Sequence, residues 1–234
     1  MGGLTKASRW SWAALLAGLL GLFVFFVQGN SVETSQGIVQ LEINGTRFAI
    51  PKGYIWYKGA WKGGQRDGVN LWALLPDMQP RTETNKGQFD DVRGHGNVVG
   101  AVLYRIAKPV SPDEGSDWQA KRKRESFDRH VKEFAQGSAV DGPYGFKMYH
   151  TKNGSSLGEL MFRHLPDGSL YFIDCYADSA MPFPSCNVEG YVSDRLSFSY
   201  HFGKPHLKDW QAIDKNIRAL IRGFETQNTK KQGD

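Results

Sequence analysis

Gly154-Ser155-Ser156-Leu157-Gly158 carries the G-x-S-x-G spacing of a nucleophile elbow. In serine hydrolases that elbow lifts a serine hydroxyl off a sharp strand-to-helix turn, where a histidine takes its proton. The geometry needs a buried strand before the motif and a helix after it. Here Asn153-Gly154 is a turn signal, and the following GELMFRHL has strand character. A polar hairpin turn accounts for these residues better. Ser156 as nucleophile, with His164 or His201 as base, stays as the enzymatic alternative.

Other chemistry finds less support. The six histidines, His95, His130, His150, His164, His201 and His206, show neither H-E-x-x-H nor Cys/His zinc spacing. Asp90-Asp91 is a carboxylate pair, but sequence neighbours point apart on a strand. Asp113-Glu114 reads as a solvated loop. Gly94-His95-Gly96 with Gly100 satisfies neither the dinucleotide fingerprint nor the phosphate loop, and no calcium loop is present. The two cysteines, Cys175 and Cys186, lack the C-x-x-C spacing that tunes a redox thiolate. In an oxidising compartment such a close pair forms a structural disulfide, and closing a loop of about ten residues contributes roughly 3 kcal/mol.

The elements that must position any site begin with a leader. Trp10 to Val27, WSWAALLAGLLGLFVFFV, has no charge and no proline. As a helix rising about 1.5 Å per residue it nearly crosses a hydrocarbon core of roughly 30 Å. Lys6 and Arg9 precede it, and the next charge is Glu33. That asymmetry keeps the N-terminus cytoplasmic and sends the rest across. A cleaved signal ending near Val27-Gln28-Gly29 is the rival reading, and the length of the run favours an anchor. The expected organisation is a stub and signal-anchor over 1–29, a spacer over 30–37, a periplasmic domain over 38–225 and a disordered tail over 226–234. The formal charge of +5 falls to +3 once Lys6 and Arg9 are assigned to the cytoplasm. Such a weakly basic domain is not a nucleic-acid binder.

Within the domain, IVQLEI and TRFAIP flank Asn44-Gly45, the strongest short hairpin signal. Gly53 to Gly68 mixes Tyr54, Trp56, Tyr57 and Trp61 with Lys58, Lys62 and Arg66. It reads either as a loop with aromatics folded inward or as a partner surface, since Tyr, Trp and Arg supply most interface anchors. VNLWALL is a buried strand, 76–97 a long polar connection, and Val98 to Ile106 another strand. Ser116 opens a helix with Gln119 at the capping-box position, an apolar face of Phe127, Val131 and Phe134, and a stop at Gly137. Trp118 falls off this face. Lys121 to Arg124 is a basic run, read as a solvated face or, alternatively, a lipid contact. Strands follow at Tyr144–His150, Leu157–Leu165, Ser169–Tyr176 and Val188–His201, with Asp167-Gly168 as a second hairpin turn. Trp210, Ile213, Ile217, Leu220 and Phe224 stripe a final helix whose Lys208, Lys215, Arg218 and Arg222 face water. The expected fold class is α+β: an antiparallel sheet with the two amphipathic helices on one face, preceded by one N-terminal transmembrane helix.

FAIPKGYI, VNLWALLPDMQPRT, FIDC…PFPSC and LKDWQAIDKNIRALIRGF together resemble bacterial envelope-anchored proteins found beside contact-dependent toxin genes. The resemblance is to immunity proteins against type VI secretion lipase effectors in particular. It covers most of residues 38–224 and rests on pattern, with no residue-level functional motif. It implies a non-enzymatic protein, without cofactor or metal, held at the inner membrane and blocking the active site of a secreted effector toxin. The candidate contacts are Trp56, Tyr57, Trp61, Arg66, Asp77 and Arg81. An envelope-assembly or lipid-binding role through Lys121 to Arg124, and the Ser156 hydrolase, are the alternatives.

Overall fold

The computed structural model describes residues 37–90, 96–152, 157–178 and 182–226. The apolar run Trp10–Val27 and residues 227–234 of the expected tail lie outside the described residues. So do Asp91, His95 and Ser156. Among the described residues no helix is long and apolar enough to cross a membrane.

Strands β1 (Ile38–Ile43) and β2 (Thr46–Pro51) form the expected hairpin, with Asn44 at φ 49° and Gly45 at φ 82° turning the chain. Positive φ at both residues is what a tight hairpin turn needs, and Asn-Gly supplies it. Val39, Leu41 and Ile43 face inward, as do Phe48 and Ile50. Strand β3 (Gly64–Arg66) runs parallel to β1 and completes a three-stranded sheet. The second sheet is larger. Strands β4 (Gly68–Leu74), β5 (Val98–Arg105), β6 (Ala135–Asp141), β7 (Lys147–Thr151), β8 (Leu157–His164), β9 (Leu170–Tyr176), β10 (Ser185–Tyr191) and β11 (Leu196–Gly203) are ordered β4-β5-β11-β10-β9-β8-β7-β6, antiparallel throughout.

The class is α+β, but the helices do not share a face. Helix α2 (Trp118–Phe134) follows the short α1 (Lys86–Asp90), and its Phe127 packs on Leu160, Leu170 and Phe172. Helix α3 (Trp210–Phe224) packs Trp210, Ile213, Ile217, Ile221 and Phe224 on Tyr171, Ile173, Phe198 and Phe202, in one core with β1 and β2. Tyr171 and Phe172 are adjacent on β9, and successive strand residues point to opposite faces. The two helices therefore cover opposite faces. An apolar stripe on each helix tells that it packs on the sheet, not on which side.

Local boundaries shift for identifiable reasons. Helix α2 begins after Asp117 with no side-chain cap, and the capping box is formed instead by Ser111 and Glu114 on the separate 3-10 turn Pro112–Glu114. It stops at Phe134, and the chain goes directly into β6, an unexpected strand bulged around Gly137 at φ 71°. Tyr144 sits in a turn before β7. The run Val188–His201 divides into β10 and β11. Trp118 is buried edge-on against Tyr191, with the Arg122 guanidinium over its ring.

Strands β9 and β10 share ladder register, among the described residues, at two pairs, Cys186↔Cys175 and Asn187↔Asp174. The two cysteines form a disulfide at this seam. Beyond it the strands part, and a polar cluster fills the gap. Tyr171 donates to the Tyr200 hydroxyl at 3.0 Å, Tyr200 to Asp214 Oδ1 at 2.8 Å, and Arg218 Nε to Asp214 Oδ2 at 2.8 Å. Arg218 thus turns inward, contrary to its expected solvent-facing position. Burial pushes both tyrosine hydroxyls well above their ordinary pKa, and the Asp214 carboxylate adds to that. Lys123 reaches from α2 through the opening to within 4.8 Å of the Tyr171 ring, and burial together with Arg218 brings its ammonium down to about 8.

Replacing both Cys175 and Cys186 by serine is expected to lower unfolding stability by about 3 kcal/mol in a urea titration. Amide hydrogen exchange in β9 and β10 should rise before that in β1 and β2.

Candidate functional site

Cross-strand register builds the site. Trp72 lies opposite Gly100, Gly100 opposite His201, His201 opposite Asn187, and Asn187 opposite Asp174. These residues form one row across the sheet on the face that bears α2. A second row runs Asn70, Val102, Ser199, Glu189. Helix α2 packs on β8 and β9. Over β4, β5, β11 and much of β10 this face lies open, and Val102 and His201 are exposed on it.

The row has little side chain at its centre and walls at its ends. The His201 imidazole lies directly on Gly100, where a Cβ would come within 2.3 Å of Cε1. Only glycine lets the ring lie across the strand. At one end, Trp72 donates its indole N–H to the Gly53 carbonyl at 3.0 Å and packs at a tilt against both Trp56 and Phe89, with ring centroids 4.9 Å away in each case. The Arg81 guanidinium lies 5.8 Å over Trp72 and is fixed by Asp90 Oδ2 at 2.8 Å. Facing them is Phe183, from the loop that the disulfide closes. Trp56 and Phe183 are each 46% exposed, unusual for rings of this size. Between them lies a concavity of about 370 Å³.

His201 also borders a second hollow of about 240 Å³, lined by His130, Phe172, Asp174, Asn187 and Glu189. The two hollows form one trough, aromatic at one end and acidic at the other. Burial raises the Asp174 pKa, partly offset by His130. His130 Nδ1 donates to the Ser126 carbonyl at 2.8 Å, which fixes where that ring carries a proton. The trough presents flat rings at one end and carboxylates beside imidazoles at the other.

The residues singled out from sequence separate into groups. Trp56 and Arg81 meet around Trp72. Tyr57 is 68% exposed beside them. Trp61 instead packs against the core, with Lys52 and Lys58 over its ring. Arg66 donates to the carbonyls of Gly63 and Gly59, bracing its own loop. Asp77 is exposed in the turn after β4. The described part of the 76–97 connection is anchored, since Phe89 of α1 is buried against Leu74 and Val98. Trp72, Asp174 and Phe183 were not expected, and His201, considered only as a base for Ser156, lies here in the trough. One signal was available: Val69, Leu71 and Ala73 claim the inward phase of β4, which leaves Trp72 facing out.

The alternatives lose their geometry. The segment after the G-x-S-x-G motif is strand β8, not the helix an elbow requires. The basic run divides: Lys121 and Arg124 are exposed, as a solvated face requires, while Arg122 and Lys123 turn inward. Arg122 donates to both carboxylate oxygens of Glu114 at 2.8 and 2.6 Å and to the carbonyls of Lys108 and Pro109, and it holds the Glu114 carboxyl down to about 2. Lys121 pairs with Asp117, and Lys123 is enclosed at the seam.

No protein-family model matches this chain, and neither does any curated protein. Among solved structures, the chain is similar to Smlt3025, an immunity protein of the Stenotrophomonas maltophilia type IV secretion system, with a TM-score of 0.58. The match covers 85% of this chain and 98% of that one at 15% identity, so what the two share is the fold.

Asp174 in the trough has a raised folded-state pKa, so its ionisation opposes folding as pH rises through and above the ordinary carboxylate range. Asp174→Asn is expected to raise the melting temperature at pH 7, and the gain should vanish below pH ~4, where the unfolded-state carboxyl is protonated as well. Thermal melts across pH check this.

Proposed function

We propose that this protein is a non-enzymatic immunity protein that neutralises a secreted antibacterial toxin by occupying its active site with the open trough face. The reading is supported by one observation above others. In a fold shared with a secretion-system immunity protein, Trp56 and Phe183 stand exposed on either side of an uncovered sheet face. Exposed aromatic pairs flanking a concavity are the residues on which protein interfaces concentrate their energy. A stable interface needs about 800 Å² per partner. The aromatic wall, Tyr57, the 182–184 loop and the sheet between them offer a surface of that kind.

In this reading the apolar leader delivers the domain to the periplasm and holds it at the inner membrane, where an incoming toxin is met before it acts. The disulfide suits that oxidising compartment. The sequence resemblance points to a type VI lipase effector and the structural neighbour to a type IV system; a toxin working in the envelope is compatible with both.

Co-expression with toxins encoded beside the gene, followed by pull-down and a survival assay, tests the proposal. Capture of one toxin together with protection from it is expected. Absence of both for every neighbouring toxin would overturn the reading. Trp56→Ala and Phe183→Ala should each weaken the captured complex by about 2 kcal/mol, roughly thirtyfold, by calorimetry. Because both rings are exposed in the free protein, its melting should scarcely change.

A further inference from the structure

The other end of β11 carries a different surface. The β1–β2 hairpin tip, the turn between β10 and β11 and the end of α3 meet there, around a concavity of about 500 Å³. Arg47, Arg195 and Arg222 line it, each from a distant part of the sequence, together with the Thr46 and Thr226 residues and one carboxylate, Glu225. Nothing in the aromatic trough contributes to it.

The backbones carrying these guanidinium groups are fixed. The Arg195 carbonyl accepts from Asn44 Nδ2 at 3.2 Å and from the Ile106 amide at 2.9 Å, and its own amide donates to Ser193 Oγ at 3.2 Å. The Arg47 carbonyl accepts from the Thr226 amide at 2.9 Å, and the Arg222 carbonyl from the Glu225 amide at 3.1 Å. Gly45 leaves room for Arg195, whose Nη1 lies 3.3 Å from where a Cβ would stand. Arg47 has a distant ion pair with Glu42 Oε2 at 3.4 Å and stays 65% exposed.

Like charges gathered around one hollow repel, only mildly in water, and an anion placed among them is attracted to each. Planar guanidinium forks match the oxygens of phosphate in paired hydrogen bonds, and threonine hydroxyls add donors. We infer that Arg47, Arg195 and Arg222 form a binding site for a phosphate-type oxyanion, either free or borne on a phospholipid headgroup. The site is independent of the immunity reading and lies at the opposite end of β11 from His201.

The full chain in non-ionic detergent is titrated with inorganic phosphate in one arm and with dihexanoyl-phosphatidylglycerol, below its micelle concentration, in the other. Both are followed by thermal melting and calorimetry against chloride at matched ionic strength. Saturable binding in at least one arm is expected, weakened about tenfold by Arg195→Gln and about tenfold more by adding Arg222→Gln. Binding in the phosphate arm alone identifies a free phosphate compound, and binding in the lipid arm alone a headgroup. Lys62→Gln, an exposed charge change in another loop, should leave affinity unaltered. No saturable binding in either arm overturns the site, as does binding that survives both arginine substitutions in a protein whose ligand-free melt is normal.

Discussion

Everything on the trough face depends on how β9 and β10 are held together. The large sheet is two blocks of strands joined at a seam of two residue pairs. The disulfide lies on the inner side of that seam, in the core with α3. Asp174 and Asn187, the neighbouring pair, lie on the outer side and floor the trough. One short stretch of pairing therefore joins the halves of the fold and sets the spacing of the candidate site. Where the strands separate, the Tyr171–Tyr200–Asp214–Arg218 chain ties β9 to β11 and α3 by side-chain hydrogen bonds. Such a buried network stabilises only when each member has its partner, because the enclosed groups cannot turn to water.

The two faces of the sheet divide the labour. The inner face is closed by α3 and the three-stranded sheet and carries most of the buried hydrophobic residues. The outer face is closed only where α2 reaches, with a small cluster of its own around Phe127. Uncovered sheet exposing large rings costs solubility unless it is used, which is why such surfaces mark interaction sites. The rings of Trp72 and Phe89 are held rigidly, so Trp56 rests on a fixed support, and a partner meeting it would order few side chains on this wall.

Charge follows the same logic of placement. The basic run at the start of α2 is contiguous in sequence but dispersed in space: Arg122 clamps the preceding loop and Lys123 enters the seam. Arg47, Arg195 and Arg222 are far apart in sequence and adjacent in space. Closeness in sequence therefore does not give closeness of charge in space, because a helix turns successive residues through about 100° and a sheet joins residues by register.

Local chemistry along the chain was enough to determine several elements. Asn44-Gly45 fixed one hairpin, alternation fixed the inward residues of β1 and β2, and the stripe from Trp210 to Phe224 fixed α3, because turns and periodicities are properties of adjacent residues. The cysteine pairing was legible for the same reason: two cysteines, close together, have one partner each. What only the tertiary structure decided is which face each helix covers, that β6 exists, and that Trp72, His201, Asp174 and Phe183 share one trough. Those depend on strand order and cross-strand register, which bring together residues more than a hundred positions apart and leave no periodic trace in the sequence.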